Sequence, residues 1–172
     1  MTGAAGGFGA LILGDGFSLN LDNTNITMSG TSGLQGVDDG AGTARINAPM
    51  SVNATNGSTI NIQFSSVGVD LNIDATSSLT IRGGGDGINS QTEITRVDLA
   101  AGGMLTMTNA AEIDEQIGEG DIYVDGVQVT AANKATLLSG AGSTVTALAV
   151  PEPSSTALLG LGGLALILRR RK

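Results

Sequence analysis

The 172-residue chain contains no cysteine, no histidine and no tryptophan, and Tyr123 is its single tyrosine. Absent cysteine excludes disulfides and thiolate sites, though it does not identify a compartment. Absent histidine removes the usual general base and the commonest metal ligand. Together these absences exclude Ser-His-Asp and Cys-His catalysis and the zinc motifs. No phosphate-cradling loop of the G-x-x-x-x-G-K type is present either. Positive charge is scarce as well: residues 1–149 carry 15 acidic groups against 4 basic ones, a net of −11. Such a body repels phosphate, so nucleic acid is excluded as a partner.

What is abundant is glycine, 27 of 172 residues, about twice the usual share. With so few aromatics, the core must be made of Ile, Leu, Val, Met and Ala. Such side chains suit a narrow, repetitive cross-section. From Phe17 onward the apolar period is two. Phe17, Leu19 and Leu21 alternate with polar residues, as do Ile26 and Met28, Met50 and Val52, Ile60, Ile62 and Phe64, Val67 to Ile73, Leu79 and Ile81, and Leu105 and Met107. Asn, Gly, Ser and Asp bound each set, the pattern of half-buried strands. Residues 30–42 read as a loop, and no helix is expected between Phe17 and Val129.

The strands repeat. Val52 and Ile60, Leu71 and Leu79, and Val97 and Leu105 are each eight residues apart, with turn residues between. Ile60 to Leu79 is 19 residues and Leu79 to Leu105 is 26, the longer interval holding Gly83-Gly84-Gly85-Asp86-Gly87. Rungs of this length predict an all-β body, a β-solenoid of the parallel β-helix kind with short irregular rungs. An antiparallel β-sandwich is the alternative, since it shows the same alternation. Ile122 to Val129 predicts a hairpin around Asp125-Gly126, the pair a type I′ turn favours. Ala131 to Ser139 predicts one or two helical turns, and Gly140 to Val150 a small-residue linker.

Two groups of residues invite a chemical reading. Asp114, Glu115, Glu119 and Asp121 cluster in sequence, and a carboxylate pair on one exposed groove is what glycoside chemistry needs. The bland reading is a solvated acidic loop, and missing Trp weighs against a sugar-stacking platform. Asp38-Asp39-Gly40 and Gly84-Gly85-Asp86-Gly87 offer the hard oxygen ligands of calcium loops, without matching an EF-hand or a calcium-binding nonapeptide. Lys134 is expected to be a surface charge and not a catalytic base. No cofactor, no metal site and no enzymatic activity are expected.

The C-terminus is the most specific stretch: Val150 to Lys172 reads VPEPSSTALLGLGGLALILRRRK. Pro151-Glu152-Pro153 is rigid and extended. Ser154 to Leu168 then gives 15 residues, about 22 Å of helix, and Arg169, Arg170, Arg171 and Lys172 close the chain with positive charge. Bilayer thinning and snorkelling would let so short a run span, leaving the basic block cytoplasmic and the body outside. This order resembles the PEP-CTERM sorting signal of Gram-negative bacteria, over roughly the last seventh of the chain. The resemblance implies export, membrane tethering through a single C-terminal transmembrane helix, and processing near Pro151, Glu152 and Pro153 by an exosortase-type membrane enzyme. Surface polysaccharide is a further implied partner. More weakly, the body resembles the Gly-Ser-Thr-rich β-helical repeats of bacterial surface passengers.

These readings divide the chain into four parts. Residues 1–16 are a flexible or truncated start, because the first basic residue is Arg45 and no signal-peptide pattern precedes it; the expectation is a fragment or a late start. Residues 17–130 are the all-β domain, 131–149 the linker and 150–172 the sorting signal. The expected function is an exported structural or interaction protein. It is held in the inner membrane in transit, then displayed at the cell surface or in the extracellular matrix. The alternatives are a carbohydrate-binding or carbohydrate-cleaving solenoid, and a membrane-anchored β domain whose tail is never processed.

Overall fold

The computed structural model describes residues 10–13, 17–28, 33–36, 50–63, 65–66, 69–83, 88–89 and 96–150. The chain is mostly β, and its strands come in triplets. The first triplet is β1 (Ala10–Leu13), β2 (Ser18–Asp22) and β3 (Asn25–Thr27); the second is β4 (Gly33–Gly36), β5 (Met50–Thr55) and β6 (Thr59–Ile62). Then follow β7 (Ser65–Ser66), β8 (Val69–Ile73) and β9 (Ser78–Ile81), and β10 (Ile88–Asn89), β11 (Arg96–Leu99) and β12 (Met104–Thr106). Each of β1 to β9 pairs in parallel with the strand three places on. The result is one parallel sheet, β1-β4-β7-β10, and two sheets that run β2-β5-β8-β11 and β3-β6-β9-β12.

The C-terminal part adds helix α1 (Ala110–Glu119), strands β13 (Ile122–Val124) and β14 (Val127–Gln128), helix α2 (Lys134–Leu137), and strands β15 (Leu138–Ser139) and β16 (Thr144–Ala147). β13 extends the second sheet in parallel, and β14 folds back antiparallel on it. β16 pairs antiparallel with both β12 and β15, so the second and third sheets become mixed at this end.

Register places like on like. Leu19, Val52, Leu71, Val97 and Ile122 are successive partners across the second sheet. Ile26, Ile60, Leu79 and Leu105 do the same in the third. A one-residue slip would turn every inward side chain outward, so the alternation itself fixes this register. The spacing of eight between strand pairs seen in the sequence is therefore the step from the second sheet to the third. Val52, Leu71, Leu79, Ile81, Val97, Leu99 and Leu105 are fully buried. The antiparallel sandwich does not describe these ladders. Segments 56–58, 75–77 and 100–103 turn the chain between sheets instead of doubling it back, so strands meet rung on rung in one direction. Phe17, read as an inward residue, is instead 46% exposed.

The short turns are tied to one another. Ser58 and Ser77, both buried, occupy equivalent corners, and the Ser58 amide donates to Ser77 Oγ at 3.1 Å. Ser78 N donates to Ser58 O at 3.0 Å and Met104 N to Ser77 O at 3.2 Å, carrying the ladder through the corner. At the next corner the chain needs glycine: Gly102 has φ +103°, and a Cβ there would lie 2.7 Å from the Ala75 carbonyl.

Four expectations are corrected. A ten-residue helix, α1, stands where none was expected; Asn109 caps it, accepting from Ala111 N at 2.8 Å and Glu112 N at 3.1 Å. Gly120, with φ 93°, ends it, and Ile113 and Ile117 join the core. Residues 131–149 are not a free linker, because β15 and β16 belong to the third sheet and Val145 and Ala147 are buried. β1 lies within the segment expected to be flexible. Strand β4, with Leu34 buried, lies within the expected loop 30–42. The hairpin at Asp125-Gly126 forms as expected, with φ 47° and 76° at the two residues. A single helical turn forms at α2 within 131–139, also as expected. Among the described residues no helix is long and apolar enough to cross a membrane; the span expected at 154–168 lies outside them.

Leu71, stacked between Val52 and Val97, is expected to be a sensitive position. Leu71→Ala should cost about 2–5 kcal/mol in urea unfolding. Gly102→Ala should cost about 1–2 kcal/mol for its backbone angle alone, and more for the approach to Ala75. Wild-type midpoints for both variants would contradict the stacked register.

Candidate functional site

The outward side chains of the second sheet form a hydrogen-bonded row. At the position between the two inward residues of each strand stand Asn20, Asn53 and Asn72, in register, followed by Asp98. Asn72 Nδ2 donates to Asn53 Oδ1 at 2.8 Å, and Asn53 Nδ2 donates to Asn20 Oδ1 at 2.7 Å. A carboxylate cannot donate, so the ladder stops at Asp98. Asp98 instead accepts from Gly126 N at 3.0 Å, with its second oxygen on the Arg96 guanidinium. Arg96 in turn lies over the Tyr123 ring, 4.7 Å from its centroid.

Beside the ladder is an open groove of about 430 Å³, lined by Asn53, Thr55, Asn72, Asp74, Asp98, Asp125 and Gly126 among others. Its polar groups are nearly all acceptors or amides. Asp74 is held ionised: hydrogen bonds lower its pKa to about 2, the Ser77 side chain contributing most, while burial opposes the shift. Its Oδ2 accepts from Asn56 N at 2.8 Å, and its Oδ1 from Thr76 N at 2.9 Å and Thr76 Oγ1 at 3.0 Å. Asp70, farther along the same strand, goes the other way. Burial raises its pKa, the Arg96 charge partly offsets this, and Asp98 adds to it. Its Oδ1 is buried without a hydrogen-bond partner among the described residues.

Carboxylates shifted in opposite directions are the usual mark of an acid and a base. Four residues of extended chain, however, place Asp70 and Asp74 about 13 Å apart along the strand. Glycoside hydrolysis wants about 5–9.5 Å between its two carboxyls. Asp70 and Asp74 are therefore too far apart to act as such a pair.

The carboxylates singled out in the sequence lie elsewhere and are not brought to one groove. Asp114, Glu115 and Glu119 are exposed on α1, and Asp121 is buried just after it. Asp114 pairs with Lys134, joining α1 to α2, and Glu119 accepts from Gln116 Nε2 at 3.1 Å. Asp38, Asp39 and the glycine-rich stretch 84–87 lie outside the described residues. Among the described residues no three acidic side chains are grouped to hold a metal ion. The ladder was missed in sequence, although its signal is there: SLNL, SVNA, DLNI and RVDL begin at residues 18, 51, 70 and 96 and align in register.

Pro151, Glu152 and Pro153, and Arg169, Arg170, Arg171 and Lys172, also lie outside the described residues. What is described is their point of departure. Leu148 N donates to Leu137 O at 2.8 Å, and Val150 packs against the core. The body is thus anchored up to the residue before the Pro-Glu-Pro triplet.

The fold and this departure point define a mostly β body continuous with a C-terminal address. Residues 149–172 match the PEP-CTERM protein-sorting motif. The chain therefore carries a signal that implies export to the cell envelope or surface and recognition by an exosortase, a membrane processing enzyme. No curated protein and no solved structure matches the chain.

Asp74 gives this surface a pH signature. Its folded pKa, about 2, lies below the ordinary 3.8, so its contribution is complete above about pH 4 and is lost as pH falls through 2. Asp74→Asn should lower stability modestly at neutral pH, because the group is near solvent, and flatten the acid limb between those values. Parallel urea-unfolding curves for both proteins from pH 7 to pH 2 would contradict the turn-binding role.

Proposed function

We propose that the chain is an exported structural or interaction protein of the cell surface or extracellular matrix, sorted and cleaved through Pro151-Glu152-Pro153. The observation that carries this reading is the sorting motif at residues 149–172. In this reading the body is a β-solenoid, supported by parallel pairing of each of β1 to β9 with the strand three places on. Ser154 to Leu168 is the membrane helix and Arg169 to Lys172 its cytoplasmic stop. The protein occupies the inner membrane only in transit, with its body outside, and is itself no enzyme: Pro151, Glu152 and Pro153 are a substrate for another protein's active site.

The anchoring of Val150 sharpens this. Residues 151–153 separate the folded body from the membrane helix that starts at Ser154, and three extended residues reach at most about 11 Å. The processing enzyme must work in the gap between body and bilayer.

A second reading, carbohydrate binding, is favoured by the groove. Ionised Asp74 and the amides of Asn53 and Asn72 offer the acceptors and donors that sugar hydroxyls use, along a rung spacing of about 4.8 Å. Surface polysaccharide is the ligand of this reading.

The test is Pro151→Ala combined with Glu152→Ala. The body is expected to fold as in the wild type while the tail stays attached, read by the mass of the C-terminal peptide from the native host. Normal processing of the variant would sink the proposal.

A further inference from the structure

We propose that Asn56 is a self-modification site that stacking of the turns keeps unreactive, so that it records whether a chain has been unfolded. An Asn-Gly pair is open to cyclisation. The Gly57 backbone nitrogen, having lost its proton, attacks the Asn56 side-chain carbonyl carbon; the bond to the side-chain nitrogen breaks and ammonia leaves. Water then opens the succinimide to aspartate or isoaspartate, with no redox partner required. Nothing lies within 4 Å of where a Cβ on Gly57 would be, and Asn56 is exposed, so sterics do not protect the pair.

Hydrogen bonds from the neighbouring turns do. The nucleophile's N–H donates to Thr76 Oγ1 at 2.9 Å. The departing amide donates through Nδ2 to Asp22 Oδ1 at 2.7 Å. The Asn56 N–H is held by Asp74 Oδ2 at 2.8 Å, and both residues of the pair sit at positive φ, 54° and 80°. Ring closure therefore requires releasing this turn from both the turn before it and the turn after it. The same device recurs at Asp125-Gly126, the other positive-φ pair of this kind among the described residues, where Gly126 N donates to Asp98 Oδ1. Two independent Xaa-Gly turns thus have their nucleophile held by a side chain from an adjacent strand or turn.

The product would not refit. Aspartate at position 56 presents an acceptor to Asp22 where the amide presented a donor. Isoaspartate lengthens the backbone by one methylene at the corner that sets the register of β6. Reaction is rare while the stack holds and is self-sealing once the stack has opened.

The experiment is incubation of the full chain, folded and in urea, at mildly alkaline pH, with peptide mass spectrometry and isoaspartate detection at Asn56. Folded wild type is expected to react about tenfold or more slowly than the unfolded chain, as for any event gated by local opening. Thr76→Val should raise the folded rate, Thr76→Ser should leave it low, and Asp22→Ala, an exposed change, should raise it without affecting the fold. Equal rates for folded and unfolded wild type would overturn the proposal. So would folded Asp22→Ala and Thr76→Val chains, verified by circular dichroism, that react no faster than wild type.

Discussion

The structure depends on one constraint: each apolar side chain must lie directly on its equivalent in the neighbouring strand. Leu71 covers Val52 and is covered by Val97; Leu79 does the same between Ile60 and Leu105. No strand here has a thick core to sink into, and the composition supplies few bulky side chains. Burial therefore comes from the neighbouring strands of each sheet. Parallel pairing keeps the equivalent residues of successive triplets opposite one another.

The polar parts obey the same repeat. Amides stack as Asn20, Asn53 and Asn72, and corner serines stack as Ser58 and Ser77, because register delivers them to the same place. The pattern ends where the residue type changes. Asp98 closes the amide ladder, Gly103 takes the place of the corner serine, and α1 comes in chain order where a fifth strand of the first sheet would stand. Beyond that point β14 and β16 run antiparallel beside β13 and β12, and the two-residue strands β14 and β15 become the ends of the second and third sheets.

Much of this was legible in the sequence. The period of two and the spacing of eight are direct readings of the second and third sheets, and Asp125-Gly126 announced its hairpin. The first sheet was not legible, because β7 and β10 have two residues each and β4 is bounded by glycine at both ends; strands that short carry no alternation. Helix α1 was legible and overlooked. Asn109, Glu112 and Gly120 are ordinary start and stop signals, with Ile113 and Ile117 on one face, but the carboxylates between them drew the reading toward a loop. β16 was hidden by composition, as Thr144 to Ala147 looks like linker until Val145 is seen opposite Leu105. The groove was not legible, because Asp74, Asp98 and Asp125 come from three separate rungs.

At Val150 the packed body gives way to the sorting motif. In the proposed function this body is cargo and the tail its address. Mass spectrometry of C-terminal peptides, taken separately from membrane and surface fractions of the native host, tests it most directly. The expected result is a surface form that ends near Pro151 and lacks Leu158 to Lys172. Recovery of every molecule in the membrane with Arg169 to Lys172 still attached would contradict it.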